Sequence, residues 1–323
     1  MADPVRFDEF QRRCLYDPSL GFYSRGGRAG RRGDFITSPE VGGLFGAVLA
    51  RAVDSWWVAC GRPDQFDLVD VGGGRGALLR SVLDAGTASR PALRAVCVEQ
   101  SAPLRGEATK LLGGDAEVRS DLPDRELKGV VIANELLDNL VVRVIERGPT
   151  GWLELWVDET TEAWRSTELE CGLEAVVGTR LPVHEQAASW VGEVLERIEV
   201  GRLVTVDYGV RTTAELLDRP WLRTYSGHAR GSDPFESPGE QDITVDVAFD
   251  QLPGSPLVRT QAEFLTEQGI DDLVATARTT WHERAHIGDL EALRARSRVL
   301  EAEALLDPGG LGGFLVAEWI CDV

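Results

Sequence analysis

The sequence predicts an α/β fold built on a mostly parallel, doubly wound sheet, because short apolar strands alternate with helices from residue 66 onwards. Near-continuous apolar runs such as "FDLVDV", "RAVCVEQ" and "GVVIANEL" are typical of parallel strands that helices cover on both faces. A glycine cluster, "DVGGGRGALL", follows the first of these strands. A glycine-rich turn between a strand and a helix indicates a nucleotide-binding fold.

The other elements are predicted from their local patterns, in chain order. A short helix is expected from Phe7 to about Leu15, and a second helix is expected to start with Ser38 as its N-cap. Residues 141–181 are rich in Trp and Glu and predict added antiparallel strands. Helices near residues 261–277 and 289–306 and a closing strand, "GGFLVAEWI", complete the chain.

These elements predict three consecutive regions. Residues 1–64 are expected to form an N-terminal helical cap with a lid loop. Residues 65–210 should form a Rossmann-like cofactor-binding core with the strand insertion at about 141–181. Residues 211–323 should supply a substrate lobe and the closing strands of the core sheet.

Composition limits the classes of partner. The chain has 34 basic and 53 acidic side chains and a net charge of −19, which argues against nucleic acid and favours a cationic peptide. No apolar run approaches the roughly 20 residues of a membrane span, so no membrane insertion is expected.

The five cysteines are widely spaced and lack a CxxC pair, which argues against a disulfide framework. The acidic start "MADPVRFDEF" resembles no targeting segment and predicts a cytoplasmic protein, with a homodimer left open.

The glycine loop alone does not choose the nucleotide. Gly72, Gly74 and Gly76 allow a tight turn and close approach of a ligand to the backbone. Gly72, Gly74 and Ala77 also satisfy the dinucleotide spacing GxGxxG/A, so NAD and S-adenosyl-L-methionine both remain open. A tight turn without any ligand is the third interpretation.

Acidic and amide side chains at the strand ends favour the sulfonium cofactor. A dinucleotide needs helix N-terminal amides for its pyrophosphate and one acid for a ribose. S-Adenosyl-L-methionine carries a positive charge and offers its ribose hydroxyls, adenine amine and ammonium as donors. Glu99 would accept from the ribose, Asp121 with Leu122 would flank the adenine, and Asp70 would lie under the methionyl part. Asn134 ends the next strand, and for each of these acids the alternative is a solvated carboxylate.

Several further blocks resemble one family in the same order. These are "GFYSR", "GDFITSPEVGGLFG", "DVGGGRGALL", "NELLDNLVV", "VTVDYG" and "DPFESPGEQDITVDVAF", and together they resemble the MidA family. That family comprises class I methyltransferases related to the mitochondrial complex I assembly factor 7, which methylates an arginine of a respiratory complex I subunit. The resemblance implies a class I methyltransferase fold with a mostly parallel seven-stranded sheet, S-adenosyl-L-methionine as cofactor and a protein substrate with a cationic side chain, arginine.

The chain departs from the family pattern at four positions. The family usually has Glu at Asp70, a second Tyr at Phe22, Ala at Asn139 and His at Asp246. The change at Asp246 bears most on the substrate, because the family histidine lies in a block that the resemblance assigns to the substrate side.

Glu135 and Asp138 are the candidate catalytic pair. They follow a strand that ends at the cofactor, and two carboxylates three residues apart could hold a planar guanidinium and take up the proton released on methylation. The alternative is that Asp138 caps the following turn and Glu135 contacts the ribose or solvent.

A lid and a second strand end supply the other candidates. In "GDFITSPE", Gly33 and Asp34 are expected to contact the cofactor, and Phe35, Pro39 and Glu40 the substrate. Without the resemblance, a capping loop for the next helix is an equally good interpretation of this segment. At the end of "VTVDYG", Asp207 and Tyr208 are further substrate candidates, although strand termination explains them nearly as well.

The segment "HERAH", His282 to His286, satisfies the HExxH zinc signature. The third ligand of a zinc site is badly placed, because Glu301 and Glu303 fit the polar face of a separate helix and Gly288 breaks the segment. Surface histidines are the simpler interpretation, and no metal is expected.

Besides a methyltransferase, an NAD-dependent oxidoreductase and a non-catalytic assembly chaperone on the same scaffold remain as alternatives.

Overall fold

The computed structural model describes residues 3–24, 37–169, 171–226 and 229–322, and these residues form two compact units. The larger unit takes its described residues from Ile36–Glu135, Val194–Val206 and Pro256–Val323. The smaller unit takes its described residues from Met1–Phe35, Leu136–Glu193 and Asp207–Ser255. Each unit is therefore assembled from three separate stretches of chain, whereas the cap, core and lobe predicted from the sequence are consecutive.

The elements of the described residues are named in chain order. The strands are β1 (Val5–Arg6), β2 (Phe66–Val71), β3 (Leu93–Val98), β4 (Glu117–Arg119), β5 (Leu127–Asn134), β6 (Arg143–Arg147), β7 (Trp152–Asp158), β8 (Thr161–Ser166), β9 (Arg180–Val183), β10 (Ile198–Asp207), β11 (Gly209–Val210), β12 (Leu222–Ser226), β13 (Ala229–Gly231), β14 (Asp242–Val245), β15 (Val247–Ala248), β16 (Leu257–Thr260) and β17 (Leu315–Cys321). The α-helices are α1 (Phe7–Tyr16), α2 (Ser38–Val41), α3 (Gly43–Ala59), α4 (Ala77–Asp84), α5 (Ala102–Leu112), α6 (Glu185–Arg197), α7 (Gln261–Glu267), α8 (Ile270–Arg284) and α9 (Leu290–Leu306).

A seven-stranded sheet forms the centre of the larger unit, in the order β16-β17-β10-β5-β2-β3-β4. The pairs β10–β5, β5–β2, β2–β3 and β3–β4 are parallel, and β16–β17 is antiparallel. All six residues of β2 are buried, as expected for a central strand covered on both faces. The strand order reverses at β2, so the carboxyl ends of β2, β3 and β5 surround the switch point where ligands of such sheets bind. The predicted α/β class is confirmed.

Two facing glycines allow β5 and β10 to pair closely. Gly201 of β10 is in register with Gly129 of β5, and a Cβ on Gly201 would lie 1.8 Å from the carbonyl oxygen of Gly129. We expect Gly201→Ala to lower the free energy of unfolding by about 2–4 kcal/mol, because the strands must separate and φ is +135° there. Urea denaturation measures this change. Gly192→Ala in α6 is the control, since a Cβ there meets no atom within 4 Å and should stabilise the helix by about 0.5–1 kcal/mol. Equal stability of the two variants would contradict the account.

The helix predicted from Ser38 is divided into α2 and α3. Thr37 is the N-cap of α2 and Ser38 its first residue, so the N-cap prediction for Ser38 is wrong. The Ser38 hydroxyl instead lies 2.9 Å from the side-chain oxygen of Gln261. Gly42 interrupts the helix, and the carboxylate of Glu301 from α9 accepts from the backbone N–H of Leu44, 2.8 Å away. Glu301 therefore caps α3 and is not a solvated residue of a polar helix face.

The C-terminal helices also differ from the sequence expectation. The stretch predicted as one helix from residue 261 to 277 contains α7 and the first half of α8, separated at Gly269, whose φ is +84°. The capping pair Thr260 and Glu263 fixes the start of α7: the Thr260 hydroxyl accepts from Glu263 N, and the Glu263 carboxylate accepts from Thr260 N. The helix expected near residues 289–306 is α9, and Asp289 is its N-cap.

The smaller unit is mainly antiparallel. Its five-stranded sheet has the order β1-β7-β6-β9 with β8 paired to β7, which confirms the antiparallel strands expected at residues 141–181. A three-stranded sheet, β13-β12-β14, occupies a stretch of chain whose Pro, Gly and Asp content gave no strand prediction. Phe7, Phe10 and Leu15 of α1 belong to the hydrophobic core of this unit.

Candidate functional site

The glycine loop lies directly after β2 and is tied to the end of β3. The backbone N–H groups of Gly72 and Gly73 donate to the carbonyl oxygen of Val98 at 2.9 and 3.2 Å. Gly76 precedes α4 in the left-handed conformation. Gly74 has a φ of +55°, and a Cβ built on it would meet no atom within 4 Å. At Gly74 the backbone of this loop therefore borders open space, which a ligand in close contact with glycines requires.

Asp70 and Glu99 lie at the two strand ends beside this loop. The Glu99 carboxylate accepts from Gly74 N at 2.9 Å and from Ser101 N at 2.7 Å, while burial raises its pKa. Asp70 is 3% exposed, and its Oδ2 has no hydrogen-bond partner among the described residues. Burial, together with the charge of Glu99, raises the pKa of Asp70 to about 7. A buried carboxylate oxygen without a donor next to an accessible loop is suited to a cationic ligand.

Asn134 is the last residue of β5, and Glu135 follows it directly. Glu135 has a φ of +52°, which is uncommon for a residue other than glycine, and its N–H donates to the carbonyl oxygen of Val206 at 2.8 Å. Its Oε1 accepts from Asn134 Nδ2 at 3.0 Å and from the backbone N–H of Ser38 at 3.3 Å. The start of α2 and the end of β5 therefore share this carboxylate. Non-glycine residues in this conformation are enriched at functional sites.

The remaining candidates of the larger unit lie around these strand ends. Glu40, in α2, pairs with Arg75 of the glycine loop, with both carboxylate oxygens 2.8 Å from the guanidinium, and Pro39 precedes it in the first turn. Asp121 and Leu122 follow β4, and Asp121 is exposed and accepts from Ser120 Oγ at 2.6 Å. The lid candidates Gly33, Asp34 and Phe35 lie outside the described residues.

Asp138, Asp207 and Tyr208 are brought together in the smaller unit. Asp207 is fully buried, and its Oδ2 accepts from the backbone N–H groups of Leu137 at 2.8 Å and Asp138 at 3.3 Å. It therefore holds the 3-10 turn Leu137–Asn139 that carries Asp138. The Tyr208 hydroxyl donates to Asp138 Oδ2 at 2.5 Å, and Asp138 Oδ1 has no hydrogen-bond partner among the described residues. Burial raises the pKa of Asp138 to about 6, although the Tyr208 hydrogen bond lowers it.

Three more residues of the smaller unit complete this polar cluster and were not selected from the sequence. Asn139 Nδ2 donates to Asp242 Oδ1 at 3.0 Å, and the Tyr23 hydroxyl lies 2.9 Å from Asn139 Oδ1 and 3.0 Å from Asp242 Oδ2. The signal that could have found them is their place in the matching blocks "GFYSR", "NELLDNLVV" and "GEQDITVDV". We call Tyr23, Asp138, Asn139, Tyr208 and Asp242 the acid–tyrosine cluster.

Asp246, which stands where the family usually has His, is an ion-pair partner. It is fully buried and pairs with Arg219 at 2.6 Å and with Arg223. The Arg223 guanidinium lies 4.9 Å from the centre of the Tyr208 ring. Asp246 therefore holds a cation against the tyrosine that contacts Asp138, a role that a neutral histidine does not provide.

The zinc-like segment contributes to helix termination. Arg284 is the last residue of α8 and pairs with Asp289, the N-cap of α9. Across the described ranges, no group of three or more His, Cys, Asp or Glu side chains could hold a metal ion. None of the described helices combines the length and the apolar character needed to cross a membrane.

Comparisons with a protein-family model and with curated proteins both find methyltransferases. Residues 48–265 match a family of S-adenosyl-L-methionine-dependent methyltransferases. The chain is 28% identical over 290 residues to mouse (Mus musculus) "Protein arginine methyltransferase NDUFAF7, mitochondrial", covering 77% of this chain and 65% of the mouse protein. It is 28% identical over 289 residues to the Drosophila melanogaster homologue of that protein, covering 76% of this chain and 65% of the fly protein. The chain thus spans slightly less than two thirds of these relatives.

A solved structure is similar over nearly the whole chain. A member of the COG1565 superfamily from Burkholderia thailandensis, crystallised with S-adenosyl-homocysteine, has a TM-score of 0.82 and 28% identity, and the match covers 98% of this chain and 88% of that one. A native crystal structure from the same organism has the same TM-score at 27% identity and covers 98% and 87%. The class I-like α/β fold and the S-adenosyl-L-methionine cofactor expected from the sequence are confirmed.

One prediction from the sequence is overturned by these comparisons. The cytoplasmic location expected from the start of the chain is wrong, because the curated relatives are mitochondrial proteins. The absence of a recognisable targeting pattern in the first residues is weak evidence about location.

Proposed function

The chain belongs to the MidA family of S-adenosyl-L-methionine-dependent methyltransferases, and from this premise we propose that it methylates an arginine side chain of a protein. The names of the curated relatives support this substrate class, as does the net charge of −19, which favours a cationic partner. The observation that carries the proposal is Asp138, a buried carboxylate with one oxygen free of hydrogen-bond partners among the described residues. A buried acceptor without a donor is suited to a guanidinium N–H.

The larger unit fits the cofactor. We propose that Glu99 accepts from the ribose hydroxyls, that Asp70 accepts from the ammonium group and that the loop Gly72 to Gly76 lies against the methionyl part. The unpartnered Asp70 Oδ2 and the open space beside Gly74 support this assignment. Asp121, Leu122 and Asn134 are proposed as further contacts at the strand ends, and Gly33 and Asp34 as contacts from the lid. The cofactor would supply one methyl group: an N–C bond forms, the S–C bond breaks, and the sulfur leaves as a neutral thioether.

Glu135 and Asp138 are proposed to orient the substrate and to take up its proton. The proposal rests on their spacing of three residues in the chain and on the preference of a planar guanidinium for carboxylate partners. Glu135 would hold the cation by a charge-assisted hydrogen bond, and Asp138 would accept the proton that the methylated nitrogen loses. A pKa of about 6 leaves Asp138 mostly ionised at neutral pH and still basic enough to take a proton. Phe35, Pro39, Glu40, Asp207 and Tyr208 remain proposed substrate-side residues, with Asp207 acting through the turn that it holds.

Cofactor affinity is expected to depend on the ionisation of Asp70. Its pKa of about 7 means that the carboxyl is mostly protonated at pH 5.5 and ionised at pH 8. Because the ammonium group of S-adenosylhomocysteine prefers the ionised form, affinity should rise by up to about tenfold per pH unit below pH 7 and level off above it. Isothermal titration calorimetry from pH 5.5 to 8.5 measures this dependence. Asp70→Asn should bind weakly with much less pH dependence, whereas the exposed control Asp64→Asn should behave as wild type. A wild-type affinity that is constant with pH would contradict the assignment.

The substrate class is tested by labelling. The protein is incubated with cell extract and cofactor carrying a labelled methyl group, and the modified residue is located by mass spectrometry. Label on arginine is the expected result. Label on another residue type would overturn the arginine proposal, and no labelled product with any extract would favour the assembly chaperone.

A further inference from the structure

Tyr23, Asn139 and Asp242 form a closed ring of three polar contacts inside the smaller unit. The Tyr23 hydroxyl lies 2.9 Å from Asn139 Oδ1 and 3.0 Å from Asp242 Oδ2. Asn139 Nδ2 lies 3.0 Å from Asp242 Oδ1. Asp242 is fully buried, Asn139 nearly so, and Tyr23 partly buried. Each pair of residues in the ring is therefore within hydrogen-bond distance.

With one hydrogen in each contact and none shared, counting hydrogens assigns one of them to Asp242. Three contacts need three hydrogens, and the tyrosine hydroxyl supplies one. The asparagine amide supplies one more, because it turns its nitrogen to one neighbour and its oxygen to the other. When the tyrosine hydrogen is not shared, the third hydrogen comes from the carboxyl of Asp242. Exchanging the amide oxygen and nitrogen of Asn139 gives the same count, so the result does not depend on how that amide is assigned.

The surroundings of Asp242 favour the protonated form. The titratable groups that face it are Tyr23 from the segment after α1, Asp138 from the 3-10 turn and Tyr225 from β12. Burial and the negative charge of Asp138 raise the pKa of Asp242 to about 8. Arg223 contacts the Tyr208 ring and pairs with Asp246. These surroundings favour the negative charge on Asp138 and the neutral form of Asp242.

We propose that Asp242 is a positioning residue that acts as a neutral acid: it donates to the Tyr23–Asn139 pair, holds the turn next to Asp138, and leaves Asp138 as the one charged carboxylate of the acid–tyrosine cluster. The role of Asp138 in this statement rests on the proposed function, whereas the protonation of Asp242 does not. Asn139, which stands where the family usually has Ala, closes the ring in this chain.

The proposal predicts that an amide can replace the acid. In Asp242→Asn the new amide would donate to Tyr23 and accept from Asn139, so all three contacts are kept. Thermal unfolding of wild type, Asp242→Asn and the exposed control Asp218→Asn is measured between pH 5 and 9. A carboxyl whose pKa is higher in the folded state than in the unfolded state stabilises the fold at low pH. This contribution to stability is lost as the pH rises through the pKa of the folded state. The wild type should therefore lose several degrees of Tm relative to Asp242→Asn between pH 5 and 8, while Asp218→Asn should follow the wild type.

Infrared spectroscopy provides an independent reading of the proton. Wild-type protein at pH 7 should show the carbonyl stretch of a protonated carboxyl that Asp242→Asn lacks. A Tm difference between wild type and Asp242→Asn that stays constant from pH 5 to 9, together with no lost carbonyl band, would show that Asp242 is ionised and that the tyrosine proton is shared by two acceptors. That result would overturn the proposal.

Methyl transfer then tests the link to Asp138. Asp242→Asn should keep a rate within about threefold of wild type at pH 7 and extend activity to higher pH, because no second carboxylate ionises there. Asp242→Ala, which opens the ring, should lose at least tenfold. Equal losses in both variants would contradict a neutral-acid role. If no variant and no wild-type protein gave product, the proposed function would fail, while the unfolding and infrared results would still decide the protonation of Asp242.

Discussion

Replacing Glu135 by Gln should lower the rate of methyl transfer by about 10²–10⁴-fold while S-adenosylhomocysteine still binds. The amide keeps the size of the side chain and can still accept from Asn134 Nδ2 and Ser38 N, so the local structure should persist. It removes the negative charge that is proposed to hold the substrate cation. Single-turnover kinetics with saturating cofactor, combined with calorimetry, separates the loss of chemistry from any loss of cofactor binding.

Glu159→Gln is the matched control for this variant. Glu159 is an exposed residue between β7 and β8 with a φ of +56°, close to the +52° of Glu135, so both variants place Gln on a left-handed backbone. The control should retain wild-type turnover. Full activity of Glu135→Gln would remove Glu135 from the mechanism, and equal losses in the two variants would attribute the effect to the backbone.

Gly74→Val is expected to weaken S-adenosylhomocysteine binding by at least about 100-fold. A Cβ on Gly74 projects into the open space beside the loop, which is the volume assigned to the cofactor, and the φ of +55° disfavours a β-branched residue. Calorimetric titration of the variant measures the change in Kd. The loss should be visible in binding even where the variant remains folded.

Gly86→Val separates the two causes. Gly86 has a φ of +74°, and a Cβ there also meets no atom within 4 Å, but it lies in the connection from α4 to β3. It should carry a similar backbone strain of about 1–3 kcal/mol and bind S-adenosylhomocysteine as wild type does. Wild-type affinity in Gly74→Val would show that the loop does not contact the cofactor.

The core of the fold could be predicted because its signals are local. The strand β2 and the helix α4 are read from an apolar run, a glycine turn and helix formers within twenty residues. The capping of α3 by the carboxylate of Glu301 could not be predicted in this way, because Glu301 lies 257 residues from Leu44 in the chain. The periodicity of apolar residues indicates which face of a helix is buried. It does not indicate which distant group caps that helix.

The residues of the candidate site show the same difference between local signals and long-range contacts. Asp70 and Glu99 were identified because the carboxyl ends of parallel strands are where such sheets bind ligands, a rule that needs only strand positions. Asp242 was missed because its partners, Asn139 and Tyr23, lie 103 and 219 residues away, and only the three-dimensional structure brings them together. The role of Asp246 was missed for the same reason. The structure pairs it with Arg219 and Arg223, and these ion pairs account for Asp where the family usually has His.

The central claim is that the strand ends of the larger unit bind a sulfonium cofactor and not a dinucleotide. Isothermal titration calorimetry of the wild-type protein at pH 8, first with S-adenosylhomocysteine and then with NADH, tests it most directly. The account predicts saturable one-to-one binding of S-adenosylhomocysteine and no heat of binding with NADH. Saturable binding of NADH in the absence of any binding of S-adenosylhomocysteine would contradict it.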